Sequence, residues 1–548
     1  MGERYMVRLV RVFSMCFVLL MLSTFSFAAG ACEENQMMVD GDCVEPVFAV
    51  VTTPMVSGDV FSFKLSAKGN YIIDWGDGEI QSMSKTSQTQ EVISHEYKNA
   101  DERSFTIRFS GMASAYANSD IAAISFESNL YVKELWGSLG GMFNGPSSYL
   151  FANTFKDCAS LTTVPATLFH GVKAVSKSMF NSTFHGCSSL ANVPEDLFDL
   201  FGGNKYATEQ QMFRETFRAS GLTAVPSGLF ANVSVGAKGL FENTFRESPN
   251  LRAVESDVFS DIIAPSENMF GGTFWDCSAL ENIAHDLFEN IDGGASKLFY
   301  STFRNTAIKE IPAELFVSIN TNSPHLFDRT FYGCSNLSTI PSDLFSGITT
   351  TENTDSMFIA TFYGCKALKS LPKGLFAGIQ GEPSPKMFDQ TFKNCTGFEN
   401  DYIPKDFFAG LVRAEDTVPS DVMSEVFAGT SLLQKCPEGM YKYTTEFSSA
   451  WSGRVSCAAC PDGTTSEVGA TDVSQCVGVR VLHIGDDIQM NLSAVRPSTS
   501  RVMVFQVLDK LYYGGLSDIE KTINKNTDKK FRIFFDDKDY WLHDYTVK

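Results

Sequence analysis

The sequence predicts a multidomain chain. A central α/β solenoid of about ten repeats follows an N-terminal β-sandwich and precedes a cysteine-rich segment and a small all-β domain. Three observations lead there. One phrase recurs in register, Met/Leu-Phe-x-x-Thr-Phe-x-x-Cys/small-x-x-Leu-x-x-Val/Ile-Pro-x-x-Leu-Phe. Its second Phe falls at Phe155, Phe184, Phe217, Phe245, Phe274, Phe303, Phe331, Phe362, Phe392 and, in a decayed copy, Phe427, with steps of 28–35 residues. Such a period is the signature of stacked repeats, because one copy cannot bury its own apolar face. Upstream of the repeats the apolar residues alternate, and downstream the cysteines cluster.

Residues 1–31 read as a secretory signal peptide. Arg4, Arg8 and Arg11 form the basic start, residues 12–27 the apolar run, and Ala29-Gly30-Ala31 the cleavage site. The run is too short for a good membrane span, so no transmembrane span is expected in the mature chain. In the segment 32–45, Cys32 either pairs with Cys43 in a small loop, the preferred reading, or carries a lipid after cleavage. Ala29, where Leu is usual, disfavours the lipid. The formal net charge is −20, and losing three arginines and Glu3 makes the mature chain more acidic still. That balance argues against nucleic acid and anionic membrane surfaces as partners and fits solubility after export.

Residues 46–112 are expected to form the β-sandwich. Segments 60–65, 71–75 and 105–109 alternate or run apolar, and Gly76-Asp77-Gly78 marks a turn. Two carboxylates, Asp74 and Asp77, are too few for a calcium site, so they read as turn residues, with Trp75 in the core. The Asp74-Trp75-Gly76-Asp77-Gly78 and His95-Glu96-Tyr97 pair, followed by Phe105-Thr106-Ile107-Arg108-Phe109, is similar to polycystic-kidney-disease (PKD)-type immunoglobulin-like domains. That resemblance implies a spacer or weak binding module in an exported protein. Residues 113–149 carry two apolar stretches, 121–126 and 130–136, and read as an N-terminal cap of the solenoid.

The solenoid is expected over 150–430. In each copy Leu-x-x-Val/Ile is the strand, and the Pro after it ends pairing and leads into a helical turn. The two residues inside each strand point outward. They give the candidate ligand-binding positions Thr162, Thr163, Asn192, Thr223, Arg252, Glu281, Asn282, Lys309, Glu310, Ser338, Thr339 and Lys369. They are small, polar and mixed in charge, whereas binding hot spots favour Trp, Tyr and Arg, so a plain solvated face competes with a binding face. The loops between copies vary most, at 201–211 and 349–355, and variable loops on a rigid array often carry recognition. Cys158, Cys187, Cys277, Cys334, Cys365 and Cys395 share one slot that Ser220, Ser248 and Thr306 also fill, which reads as a small inward position holding free thiols.

The Phe-x-x-Cys-x-x-Leu-x-x-Ile/Val-Pro core of the phrase resembles the BspA-like (treponemal-type) leucine-rich repeat of microbial surface proteins, over about half the chain. The uniform Pro-x-x-Leu-Phe half and the longer period depart from that pattern. The resemblance implies a curved, leucine-rich-repeat-like solenoid with one short strand per copy and its strand face concave, shown at a cell surface for adhesion or protein binding.

Residues 431–476 hold Cys436, Cys457, Cys460 and Cys476 with little apolar content, so the segment needs a staple. Four thiolates could instead hold zinc, but the second Cys-x-x-Cys is missing. Cys457-Ala-Ala-Cys460-Pro-Asp-Gly-Thr-Thr-Ser resembles the ephrin-receptor/TNF-receptor-like cysteine-rich module, which implies disulfides Cys436–Cys457 and Cys460–Cys476. Residues 477–548 read as a small β domain from the apolar runs 479–484, 502–508 and 531–535.

No catalytic constellation stands out. The seven histidines are scattered, and no Gly-x-Ser-x-Gly elbow or Gly-rich phosphate loop occurs. The chain is therefore expected to be a non-enzyme without a cofactor. Its expected role is an exported surface protein that binds a protein or glycan ligand. The alternatives are a structural envelope component and, more weakly, an accessory module of an exported hydrolase.

Overall fold

The computed structural model describes residues 37–39, 42–98, 100–117, 120–399, 401–412, 422–444, 447–448, 451–462, 464–478, 480–483, 489–492, 503–507, 510–514 and 531–534. Residues 1–31, read in the sequence as a signal peptide, and Cys32 lie outside these residues. The chain forms two compact units, Met1–Asp292 and Gly293–Lys548. The described residues are mostly β-sheet, with very few helices and no closed barrel. None of their helices is long and apolar enough to cross a membrane.

The first unit opens with a hairpin of β1 (Met37–Val39) and β2 (Asp42–Val44). Cys43 on β2 is disulfide-bonded. Two facing sheets follow. They are built from β3 (Phe48–Thr52), β4 (Val60–Leu65), β5 (Lys68–Asp74), β6 (Ile80–Lys85), β7 (Glu91–Glu96), β8 (Thr106–Ala115), β9 (Ile124–Ser125) and β10 (Val132–Gly137). The order is β10–β3–β8–β5–β6 in one sheet and β7–β4–β9 in the other. Alternation drives the inward residues together, and the core is aromatic: Phe48, Phe61, Phe63, Trp75, Phe109 and Phe126 are all buried. Asp74 and Asp77 are turn residues. Each carboxylate accepts an amide two residues on, from Gly76 at 2.9 Å and Glu79 at 3.0 Å. The expected boundary at 112/113 falls inside β8, and β9 and β10 complete the sandwich sheets rather than forming a separate cap. A bulge at Lys133 shifts the register of β10 against β3. It leaves Val132 and Leu135 both facing inward and turns Trp136 outward.

The copies of the repeat stack on one another within each unit. The second Phe of a copy donates its N–H to the Thr carbonyl of the next copy: Phe155 to Thr183, Phe184 to Thr216, Phe217 to Thr244 and Phe245 to Thr273, at 2.8–2.9 Å. In the second unit Phe303, Phe331 and Phe362 do the same to Thr330, Thr361 and Thr391, each at 2.9 Å. The intervening amides close turns three residues back, as Cys158 does to Phe155 at 3.1 Å. Every fourth residue of this stretch is left-handed. The last such slot holds Asp157, Gly186, Ala219, Glu247 and Asp276 in the first unit, and Asn305, Gly333, Gly364, Asn394 and Gly429 in the second, with φ between 54° and 73°. Gly, Asn and Asp dominate because an L side chain resists that conformation.

This left-handed rhythm keeps that stretch from being helical, and the α part of the α/β expectation shrinks to very few, short helices among the described residues. A right-handed helix cannot run through a left-handed residue every fourth position. The Pro-x-x-Leu-Phe half closes only one turn, with the Leu amide on the Pro carbonyl, as in Leu168 to Pro165 at 3.1 Å. That turn is a short 3-10 helix at Ala166–Phe169 and Ala313–Phe316. The single described α-helix, α1 (Leu139–Met142), has four residues.

Side chains form columns inside each stack. First-Phe rings stack at 5.6–5.8 Å from Phe151 through Phe180, Phe213 and Phe241 to Phe270. Second-Phe rings stack at 5.4–5.6 Å from Phe155 to Phe274. Phe126 of the sandwich core stacks on Phe155 at 5.5 Å, which seals the first copy. The buried Thr hydroxyl of each copy donates to the first-Phe carbonyl of the copy before. Thr183, Thr216, Thr244 and Thr273 reach Phe151, Phe180, Phe213 and Phe241 at 2.8–3.0 Å. Thr330, Thr361 and Thr391 reach Phe299, Phe327 and Phe358 at 2.9 Å.

Short parallel strands accompany the columns. In the first unit β11 (Tyr206–Ala207) pairs with β13 (Val233–Val235), and β12 (Ala224–Val225), β14 (Ala253–Val254) and β15 (Asn282–Ile283) form a sheet in that order. In the second unit β16 (Ile403–Pro404) pairs with β18 (Ser456–Ala459), which also pairs with β17 (Met440–Tyr443). The cysteine-rich segment thus lies on the last repeat strand, and Tyr402 packs against the buried Cys436, Val455 and Cys457. The disulfides are Cys436–Cys457 and Cys460–Cys476, each with a Cα separation of 5.7 Å. The four thiolates of a zinc site are committed to them. Strand β19 (Thr464–Thr465) pairs with β20 (Val477–Gly478). Beyond it, β21 (Arg480–His483) pairs with β22 (Gln489–Leu492), and β23 (Met503–Val507) lies between β24 (Lys510–Gly514) and β25 (Phe531–Phe534).

Candidate binding faces

The strand positions singled out in the sequence are on the surface. Thr162, Thr163, Asn192, Thr223, Arg252, Glu281 and Asn282 are exposed in the first unit. In the second, Lys309, Glu310, Thr339 and Lys369 are exposed and Ser338 is half-buried. Backbone bonds hold them in register. Thr162 donates to Lys133 at 2.8 Å, and Thr163 bridges Glu134 in parallel. Thr223 donates to Ala191, Arg252 to Thr223 and Glu281 to Arg252, at 2.9–3.3 Å. Asn282 lies opposite Ala253. In the second unit Glu310 bridges Thr339, Ser338 donates to Lys309 at 3.0 Å and Lys369 to Ser338 at 3.2 Å. Lys369 also pairs with Glu399. Each row offers hydroxyl, amide and charged groups spaced by one strand separation, about 4.8 Å.

A second face was missed in the sequence. The residue after each second Phe also lines up: Lys156, His185, Arg218, Arg246 and Trp275 in the first unit, and Arg304, Tyr332, Tyr363 and Lys393 in the second. They are half-buried against one another. Arg218 bonds Glu247 through two nitrogens at 2.9–3.1 Å, and Arg246 lies over Trp275 at 3.8 Å. Arg304 lies over Tyr332 at 4.4 Å, and Tyr332 stacks on Tyr363 at 4.5 Å. The hydrogen bond with His185, with Arg214 and Arg218 beside it, holds the Glu215 carboxyl down at about 2 against its burial. Asp328, between His325 at 2.8 Å and Arg329 at 2.7 Å, is shifted the other way, because burial outweighs both partners. The sequence signal was available: reading that column downward gives cations and aromatics almost throughout. These groups are spent largely on each other, which makes the face a brace along the stack.

The shared Cys slot also has a clear role. Cys158, Cys187, Cys277, Cys334, Cys365 and Cys395 are free and buried. Cys158 donates to Phe126 of the sandwich at 3.2 Å, and each later thiol to the second-Phe carbonyl of the preceding copy, for example Cys187 to Phe155 at 3.1 Å and Cys395 to Phe362 at 3.0 Å. Ser248 does the same to Phe217 at 3.0 Å. Cys, Ser and Thr share the slot because all three carry a donor. Burial pushes the thiols of Cys187 and Cys365 up, and those of Cys158 and Cys277 to about 12 and Cys334 to about 11.

In the sandwich, a pocket beside the Asp77-Gly78 turn is lined by Asp77, Glu79, Glu96, Tyr97, Lys98, Ala100, Arg103 and Phe105. His95 meets Asp77 there at 2.7 Å. Burial raises the Asp77 carboxyl, but the bonds from His95 and the Glu79 amide win and hold it below the usual range. Among the described residues no three metal-ligating side chains come together.

No known protein family, no curated protein and no solved structure matches this chain.

Proposed function

We propose that this is an exported cell-surface binding protein of the BspA-like leucine-rich-repeat kind. In this reading about ten copies form one solenoid that presents its strand rows to a protein or glycan ligand, and the chain has no catalytic role of its own. The observation that carries the reading is the register of the strand rows. In each unit the copies repeat the same backbone bonds and bring the same repeat position to the surface, and that position carries polar side chains, some of which also bond the backbone beside them in the stack, as Thr162 does to Lys133 and Ser338 to Lys309. Structural columns of Phe, Thr and Cys take the interior, so sequence change on the rows is free to serve recognition.

The near-absence of Trp, Tyr and Arg from the rows favours a second reading, a structural envelope component. The test is retention of the full mature chain on immobilised matrix proteins and polysaccharides. Saturable retention on at least one surface is expected. Retention no greater than on a blocked blank surface across the panel would leave only the envelope reading.

A further inference from the structure

The bulge at Lys133 places an indole where the apolar pattern of residues 130–136 alone would bury it. Trp136 is 60% exposed, while Trp75 and Trp451 are each 2% exposed. Its neighbour across the sheet is Ala49, then Arg108 on β8, then Asp74 on β5. Residues directly opposite one another share a face, so these four form one outward row. Arg108 and Asp74 pair at 3.5 Å. Ala49 is small and buried between the indole and that pair, whose side chains are 19% and 14% exposed, and the row spans the indole to Arg108 in two strand spacings, about 10 Å. Both edges of β10 are already bonded, to β3 on one side and to Thr163 on the other. A peptide therefore cannot add to it as a strand, and recognition here must use side chains.

We propose that the Trp136–Ala49–Arg108–Asp74 row is a carbohydrate-binding platform for a neutral glycan. The proposal goes beyond the strand-row binding above and adds a separate site on the sandwich with its own ligand class. A flat, exposed indole takes the apolar face of a pyranose ring. The guanidinium donates to sugar hydroxyls, and the carboxylate accepts from them. The paired charges leave no net cation to recruit an anionic partner, which favours an uncharged sugar.

The test is co-sedimentation of the full mature chain with insoluble chitin, cellulose and starch. It is paired with tryptophan fluorescence titration using chitohexaose, cellohexaose and maltohexaose. Retention on at least one polysaccharide is expected. Trp136→Ala should weaken it at least about tenfold, the loss of one stacking contact, while Trp136→Phe keeps most of it. The melting temperature should stay unchanged, since the side chain is exposed. Equal affinity in Trp136→Ala overturns the proposal, as does absence of retention on all three polysaccharides. If the chain then still binds matrix proteins, the platform fails and the binding function stands. If that protein binding is itself lost in Trp136→Ala, the row serves a protein and not a sugar.

Discussion

Thr244 shows how much one hydroxyl carries. Its side chain is fully buried and closes the gap to Phe213 of the preceding copy at 2.8 Å. Thr244→Val keeps the shape and removes the donor, so urea unfolding should show a loss of about 1–3 kcal/mol, with Thr244→Ser largely restoring it. Ala219 predicts the opposite sign. It occupies a left-handed slot at φ 54°, where most copies place Gly, Asn or Asp, so Ala219→Gly should stabilise the chain by about 1 kcal/mol in the same assay. Glu215 predicts a pH dependence. Its carboxyl is depressed to about 2 from an ordinary 4.5, so its contribution is complete above the ordinary value and is lost as pH falls through about 2. Wild type should therefore lose more stability than Glu215→Gln between about pH 5 and 2. The apolar and thiol columns were legible in the sequence because a repeated identity at a fixed step needs no knowledge of direction. Trp136 was not, because a single bulged residue decides which way it faces.

At the scale of elements, the repeat phrase disclosed its stacking but not its backbone. The Pro-x-x-Leu-Phe half suggested a helical turn and delivered one turn only. The Gly, Asn and Asp residues just before the Cys slot, with their left-handed preference, exclude a helix only from the other half of the copy. The sandwich strands were readable from alternation, whereas β9 and β10 looked like a separate cap because long-range pairing, not local pattern, assigns them to the sandwich. The buried thiols give this scale its test. All six repeat cysteines should resist alkylation at neutral pH in the native chain and react once it is unfolded, read by intact mass. The cysteine-rich segment covers the strand edge at Ile403, so reducing Cys436–Cys457 should expose that edge and promote association, read by size-exclusion chromatography.

For the whole molecule, an acidic chain with polar display rows has little reason to hold nucleic acid, and retention on the target surface should not depend on a polyanion. The binding reading places recognition on the rows and leaves the Arg–aromatic face as a brace, and these roles can be separated. The most direct measurement is the affinity of the full chain for whichever matrix protein retains it, compared with Arg252→Ala/Glu281→Ala on the strand row. Both side chains are exposed, so the melting temperature should hold while affinity falls about tenfold or more, as for loss of a binding contact. Unchanged affinity in that variant would contradict the assignment of binding to the strand row.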